Sequence, residues 1–180
     1  MVYLRKPSLE DKEKYIDMIR EWKEFGGPYV PCIIDYDCNR PLEELDYDAV
    51  LTVAENYSNG KLYDYDVEYF ESSDFYFIFE DEELIGMGEV RHNLKPLGKQ
   101  LKGHIVCGIR PSKRRKGYAF HAVELMIQKL KEDNVKEVFL CHYEEDEIGY
   151  MIISKLNFKY KDSTASKDNG RKIMCYIKRI

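Results

Sequence analysis

From Ile109 to Ala119 the chain reads Ile-Arg-Pro-Ser-Lys-Arg-Arg-Lys-Gly-Tyr-Ala. Lys113, Arg114, Arg115 and Lys116 are four consecutive cations, and Gly117 follows them. Ala122, Val123, Met126, Ile127 and Leu130 then recur as one face of a helix. A basic turn that opens a helix holds phosphates. The N–H groups of the first helical turn have no internal partner and carry the positive end of the helix dipole. Gly117 has no Cβ, so an anion can approach the backbone. Pro111 lacks an N–H and marks where pairing of the preceding strand stops. The same run also reads as a solvated Lys/Arg turn or as a nucleic-acid patch.

A second group of residues has the opposite sign. From Asp35 to Asp74 there are twelve acidic residues (35, 37, 43, 44, 46, 48, 55, 64, 66, 68, 71 and 74) against two bases, Arg40 and Lys61. Tyr36, Tyr47, Tyr57, Tyr63, Tyr65 and Tyr69 are interleaved with them. Carboxylates attract a cationic amine and tyrosine faces pack against one. A solvated acidic helix and loop is the other reading of this stretch.

The elements that must position these residues follow from spacing. Val2–Arg5 reads as a first strand. Ser8 with Asp11 forms something close to a capping box, and Tyr15, Ile16, Ile19 and Trp22 mark a helix that Gly26-Gly27-Pro28 stops. Residues 28–74 are harder to read, with a helix expected over Leu42–Tyr57. Strands are expected at Phe75–Phe79 and Leu84–Arg91, joined by a tight turn at Asp81-Glu82-Glu83. A loop begins at Lys95, and Gly103–Ile109 is the next strand. A helix over Ala119–Glu132, a strand over Val135–His142, a helix over Glu147–Leu156 and strands at Phe158–Lys161 and Ile173–Ile177 complete the chain.

With 180 residues the chain suits one domain, residues 1–180, large enough for a real core. Hydrophobic residues make up 44% and charged residues 34%, a soluble globular balance. The net charge of -5 argues against nucleic acid as a partner, so the basic run is a local positive spot suited to one small polyanion. No signal peptide or membrane-spanning run is apparent. Cys32, Cys38, Cys107, Cys141 and Cys175 are scattered without metal-ligand spacing. No zinc site is expected, and reduced thiols in a cytoplasm are the simpler reading.

Arg114-x-x-Gly117-x-Ala119, set between a strand and a helix, resembles the Arg/Gln-x-x-Gly-x-Gly/Ala signature of the GNAT N-acetyltransferases. The stretch from Gly103 to Ala119 looks like a small bacterial branch of that family. The resemblance implies an α/β (α+β) fold, with a mixed, mostly antiparallel sheet of about seven strands and helices on both faces. It implies acetyl-CoA as acyl donor and direct transfer of acetyl to a primary amine. The pantetheine arm would lie along Cys107, Gly108 and Ile109. The pyrophosphate would be wrapped by Arg114, Arg115, Lys116, Gly117, Tyr118, Ala119 and Phe120.

Family members commonly draw their base from strands beside this site, which makes Glu89, His92 and His104 candidates; His104 reads equally as a histidine bonded at a strand end, and Arg91 and His92 as edge polar residues. The frequent CoA-contacting Asn falls on Asp146, a following Ser on Gly149, and the frequent proton-donating Tyr on Ile153. Tyr143 or Tyr150 would have to substitute. These departures keep open a second reading, a non-catalytic acyl-CoA-binding sensor or assembly protein of the same fold. The acidic, tyrosine-rich segment would cover the acceptor end and suggests a cationic acceptor, a polyamine, an amino sugar or a lysine-bearing peptide. The last strand, Ile173–Ile177, is one that pairs between subunits in some family dimers.

Overall fold

The computed structural model describes all residues from Met1 to Ile180. The elements run β1 (Val2–Arg5), α1 (Lys12–Phe25), α2 (Cys32–Cys38), α3 (Tyr47–Ser58), β2 (Ser72–Glu80), β3 (Glu83–His92), α4 (Pro96–Leu101), β4 (Ile105–Ile109), α5 (Tyr118–Glu132), β5 (Glu137–Tyr143), α6 (Glu147–Lys155), β6 (Lys159–Ala165) and β7 (Lys172–Arg179). The seven strands form two antiparallel sheets, β1-β2-β3-β4 and β5-β7-β6.

Alternation along β2 decides what each face of the larger sheet buries. Phe75, Phe77 and Phe79 point to one side, where they join Tyr15, Met18, Ile19 and Trp22 of α1, Ile33 and Ile34 of α2 and Tyr47 and Val50 of α3. Ile78 points to the other side, with Val90, Ile105 and the apolar stripe of α5: Ala122, Val123, Met126 and Leu130. Helix α1 begins as its sequence indicates. The Asp11 carboxylate accepts from the N–H and the hydroxyl of Ser8 at 3.0 and 2.8 Å, and Gly26 ends the helix at φ 92°.

Several expectations needed correction. The stretch 42–57 divides into a 3-10 turn at Leu42–Glu44 and helix α3, because Asp46 caps α3 by accepting from Asp48 and Ala49. Helix α2 occupies part of the segment that was hard to read. The loop expected at Lys95 is helix α4, with Pro96 in its first turn. Strand β7 lies between β5 and β6 with both edges paired, so it has no edge left to join a second subunit.

Candidate active site

Strands β4 and β5 are neighbours that do not form a ladder. They meet only where His104 precedes β4. The His104 N–H donates to the Phe139 carbonyl at 2.7 Å, and the Phe139 N–H donates to His104 Nδ1 at 3.0 Å. Gly103, at φ 67°, makes this approach possible, since a Cβ there would lie 2.9 Å from the Phe139 carbonyl oxygen. Beyond this joint the strands part around a cavity of about 610 Å³. Ile105, Val106 and Cys107 line it from β4, and Leu140 to Tyr143 from β5.

The cavity passes from one face of the sheets to the other. Val123 of α5 and Ile152 and Ile153 of α6 line it on one side. Tyr29 to Cys32, Tyr69, Arg91 and Lys102 line it on the side of α1–α3. Strand β4 itself is fixed from that second side. Gly108 packs so closely that an added Cβ would lie 2.1 Å from the Val30 carbonyl oxygen. Burial pushes the Cys107 thiol up to about 12, so it stays protonated and offers its backbone rather than its sulfur.

The basic run is built differently from its appearance in sequence. Arg110 is drawn onto α1, with Nε on Glu21 at 2.6 Å and an Nη on Asp17 at 2.8 Å. Glu21 also accepts from the Ser112 N–H and hydroxyl, at 2.6 and 3.0 Å. Burial raises the Glu21 carboxyl, but these bonds more than offset it and hold the group below its usual range. Lys113 pairs with Glu83. Arg114 turns back, donating Nε to the Ile109 carbonyl at 2.8 Å and stacking 4.9 Å from the Phe25 ring. Through Nε and the ring stacking it staples the loop to α1, while its two terminal nitrogens have no partner.

What faces outward is Arg115, Lys116 and Gly117, all exposed. Arg115 and Gly117 both sit in the left-handed region, at φ 63° and 85°. Gly117 is the N-cap of α5, and no side chain caps that helix, so the N–H groups of Tyr118, Ala119 and Phe120 stay available.

The candidate proton-transfer residues separate. His104 is 4% exposed, and its Nδ1 is occupied by Phe139. Burial holds its pKa down at about 4, so it is neutral near pH 7. It lines a different cleft, with Lys99 and Lys136, beyond the joint. His104 is therefore a hinge between sheets rather than a base in the cavity. His92 is engaged by Asp74 at 3.3 Å and by Asp133 at 3.5 Å. Glu89 is 1% exposed beneath the wall, with Oε2 accepting from Arg91 at 2.8 Å and Oε1 without a partner. Tyr143 lines the cavity, and the Arg171 guanidinium lies 3.8 Å from its ring centroid. Tyr150 is 53% exposed and stands outside the cavity. Asp146 lines it while capping α6 through the Gly149 N–H at 2.9 Å. Ile153 is buried in its wall.

The acidic segment is not the floor of the cavity. Of its twelve carboxylates only Asp35 is in the wall. Asp37 and Asp66 are buried beneath tyrosine hydroxyls, from Tyr15 at 2.6 Å and Tyr57 at 2.8 Å. Asp46 caps α3, and Asp74 holds Lys6. Sequence reasoning missed Arg91, Lys102, His142 and Ser166 to Asp168 as cavity residues. Alternation along β5 could have placed His142 with Leu140, but nothing local signals that 166–168 returns to the gap.

Two sheets split between β4 and β5, with an uncapped, glycine-started helix following β4, are the arrangement of CoA-dependent acyltransferases. The profile of the acetyltransferase (GNAT) family matches residues 40–151, and the chain belongs to that family, a family of acyltransferases. No curated protein matches the sequence. Among solved structures, RimL, a ribosomal L7/L12 alpha-N-protein acetyltransferase in complex with CoA, superposes with a TM-score of 0.71 at 13% identity, over 99% of this chain and 94% of that one. PaiA N-acetyltransferase from Thermoplasma acidophilum, also with CoA, gives 0.60 at 21%, over 100% and 99%. RimJ from Mycobacterium smegmatis, with CoA-disulfide, gives 0.73 at 10%, over 99% and 81%. At these identities the likeness is one of fold.

Proposed function

We propose that the protein transfers acetyl from acetyl-CoA directly to an amine. The observation that carries this reading is the gap between β4 and β5, lined by Val123 of α5, whose own N-terminus starts at a glycine and is uncapped. Pantetheine would run along Cys107 to Ile109, whose outer backbone edge has no strand partner. The pyrophosphate would meet Arg115, Lys116 and the N–H groups from Gly117 to Phe120. Asp146 would flank the arm from the α6 side.

The chemistry is a single displacement. The neutral amine attacks the thioester carbon, the C–S bond breaks, and the CoA thiolate takes a proton. Glu89 is too deep to touch the amine, and it would take the proton only through a water admitted to its sealed Oε1. Tyr143, in the wall, would protonate the thiolate. A second reading, acyl-CoA binding without turnover, draws support from Ile153, an apolar residue where the family's tyrosine falls. Cytoplasmic residence fits either reading.

Calorimetry with CoA, then acetyl-CoA consumption across a panel of amines, tests the proposal. Gly117→Glu puts a carboxylate and a Cβ into the left-handed N-cap. It should abolish CoA binding while the far-UV circular dichroism stays native. Normal binding in that variant would falsify the donor-site assignment. Binding by the unaltered protein with no amine consumed would favour the second reading.

A further inference from the structure

We infer that the α1–α3 end of the cavity binds an anionic group of the acceptor, so that the acceptor is an amine carrying a carboxylate, as an amino acid does. This rests on reading the gap as the transfer site. Six charged residues line the cavity: Arg91, Lys102 and Lys167, and Asp35, Asp146 and Asp168. Charge by charge, they are unequally satisfied. Lys167 pairs with Glu68 at 3.3 Å. Asp146 is bound to the Gly149 N–H, and Asn39 donates to Asp35 at 3.2 Å.

Arg91 has a side chain 10% exposed and gives one nitrogen to Glu89 at 2.8 Å. Burial opposes its charge, and Glu89 beside it more than offsets this, so it stays a cation. Its Nε has no partner but is sealed from the cavity, so Arg91 acts there by its charge. Lys102 has no carboxylate within salt-bridge distance, and its ammonium lies 4.8 Å from the centre of the Tyr69 ring. A second nitrogen of Arg91 donates to the Lys102 carbonyl at 3.1 Å and fixes that backbone. The nearby buried carboxyl of Asp66 is bonded to Tyr57, and burial raises its pKa, which weakens it as a counter-charge.

Lys102 is thus the lining cation without an ion-pair partner, and Asp168 the lining carboxylate without a bond of its own. An unpaired cation wants an anion, and an unpaired carboxylate wants a cation. A polyamine would set its cations against Lys102, whereas a zwitterion would set its carboxylate there and its ammonium toward Asp35 or Asp168 on the same walls.

Matched probes test this without requiring turnover. N-acetylated amino acids with small, aromatic and basic side chains are titrated into CoA-saturated protein, each against its own carboxamide. At least one carboxylate should bind about tenfold to a hundredfold tighter than its amide. Lys102→Gln should erase the difference and Lys102→Arg should retain it. Equal binding of every pair, or a preference that survives Lys102→Gln, overturns the inference. So does faster acetylation of diamines than of amino acids. If the carboxylate preference is present but no amine is acetylated, the anion site stands and the transfer reading fails.

Discussion

His104 replaces, with one side chain and one backbone N–H, the ladder that β4 and β5 lack. That role ties its protonation to stability. Its pKa of about 4 lies below the ~6.5 of a free imidazole. Between those values the unfolded chain binds a proton that the folded chain refuses. Stability is thus complete above pH 6.5 and falls by about 1.4 kcal/mol per unit as the pH drops toward 4. His104→Asn keeps an acceptor for the Phe139 N–H but does not titrate. Urea unfolding from pH 7.5 to 4.5 should show a slope shallower by about one proton in the variant; identical slopes would sink the assignment. In sequence His104 read as a base or as a histidine bonded at a strand end, with nothing local to choose between them. Its partner is 35 residues away, and only the folded pairing reveals that its acceptor nitrogen is taken. Arg114 is a similar case: sequence shows that a cation is present, not that it folds back on Ile109 and Phe25.

Among the elements, β4 is held by two glycines on different strands facing opposite helical layers. A Cβ at Gly108 would meet the Val30 carbonyl at 2.1 Å, a backbone atom. A Cβ at Gly88 would meet the Met126 methyl at 1.8 Å, the end of a flexible side chain. Gly108→Ala should therefore lower stability by about 1–3 kcal/mol, and Gly88→Ala by less, in paired denaturant titrations. The reverse order would mean that the 28–31 segment yields more easily than α5. The long periodic elements were readable because their stripes face a packed layer: α1, α5, β2 and β3 fall close to their expected bounds. Helices α2 and α4, of seven and six residues, were not. Too short to show a period, they are set by tertiary contacts, as when Ile33 and Ile34 are buried against α1 or Gly98 packs on the Tyr69 carbonyl. The basic turn was legible as a motif, while the α1–α3 wall of the cavity was not, because Arg91, Lys102 and 166–168 converge from three separate elements.

At the scale of the molecule, two antiparallel sheets share one joint and one cavity. From Ile105 and from Leu140 onward, each inner strand keeps an unpaired row of N–H and C=O groups facing the gap, bordered by apolar side chains. Such a row is also a template for any passing extended chain. The donor would serve as an edge guard as well as a reactant, lying where a stray strand would otherwise add. The unliganded protein should then self-associate as its concentration rises, and saturating CoA should suppress this in static light scattering. Scattering that grows equally with and without CoA would show that the gap is not the sticky surface.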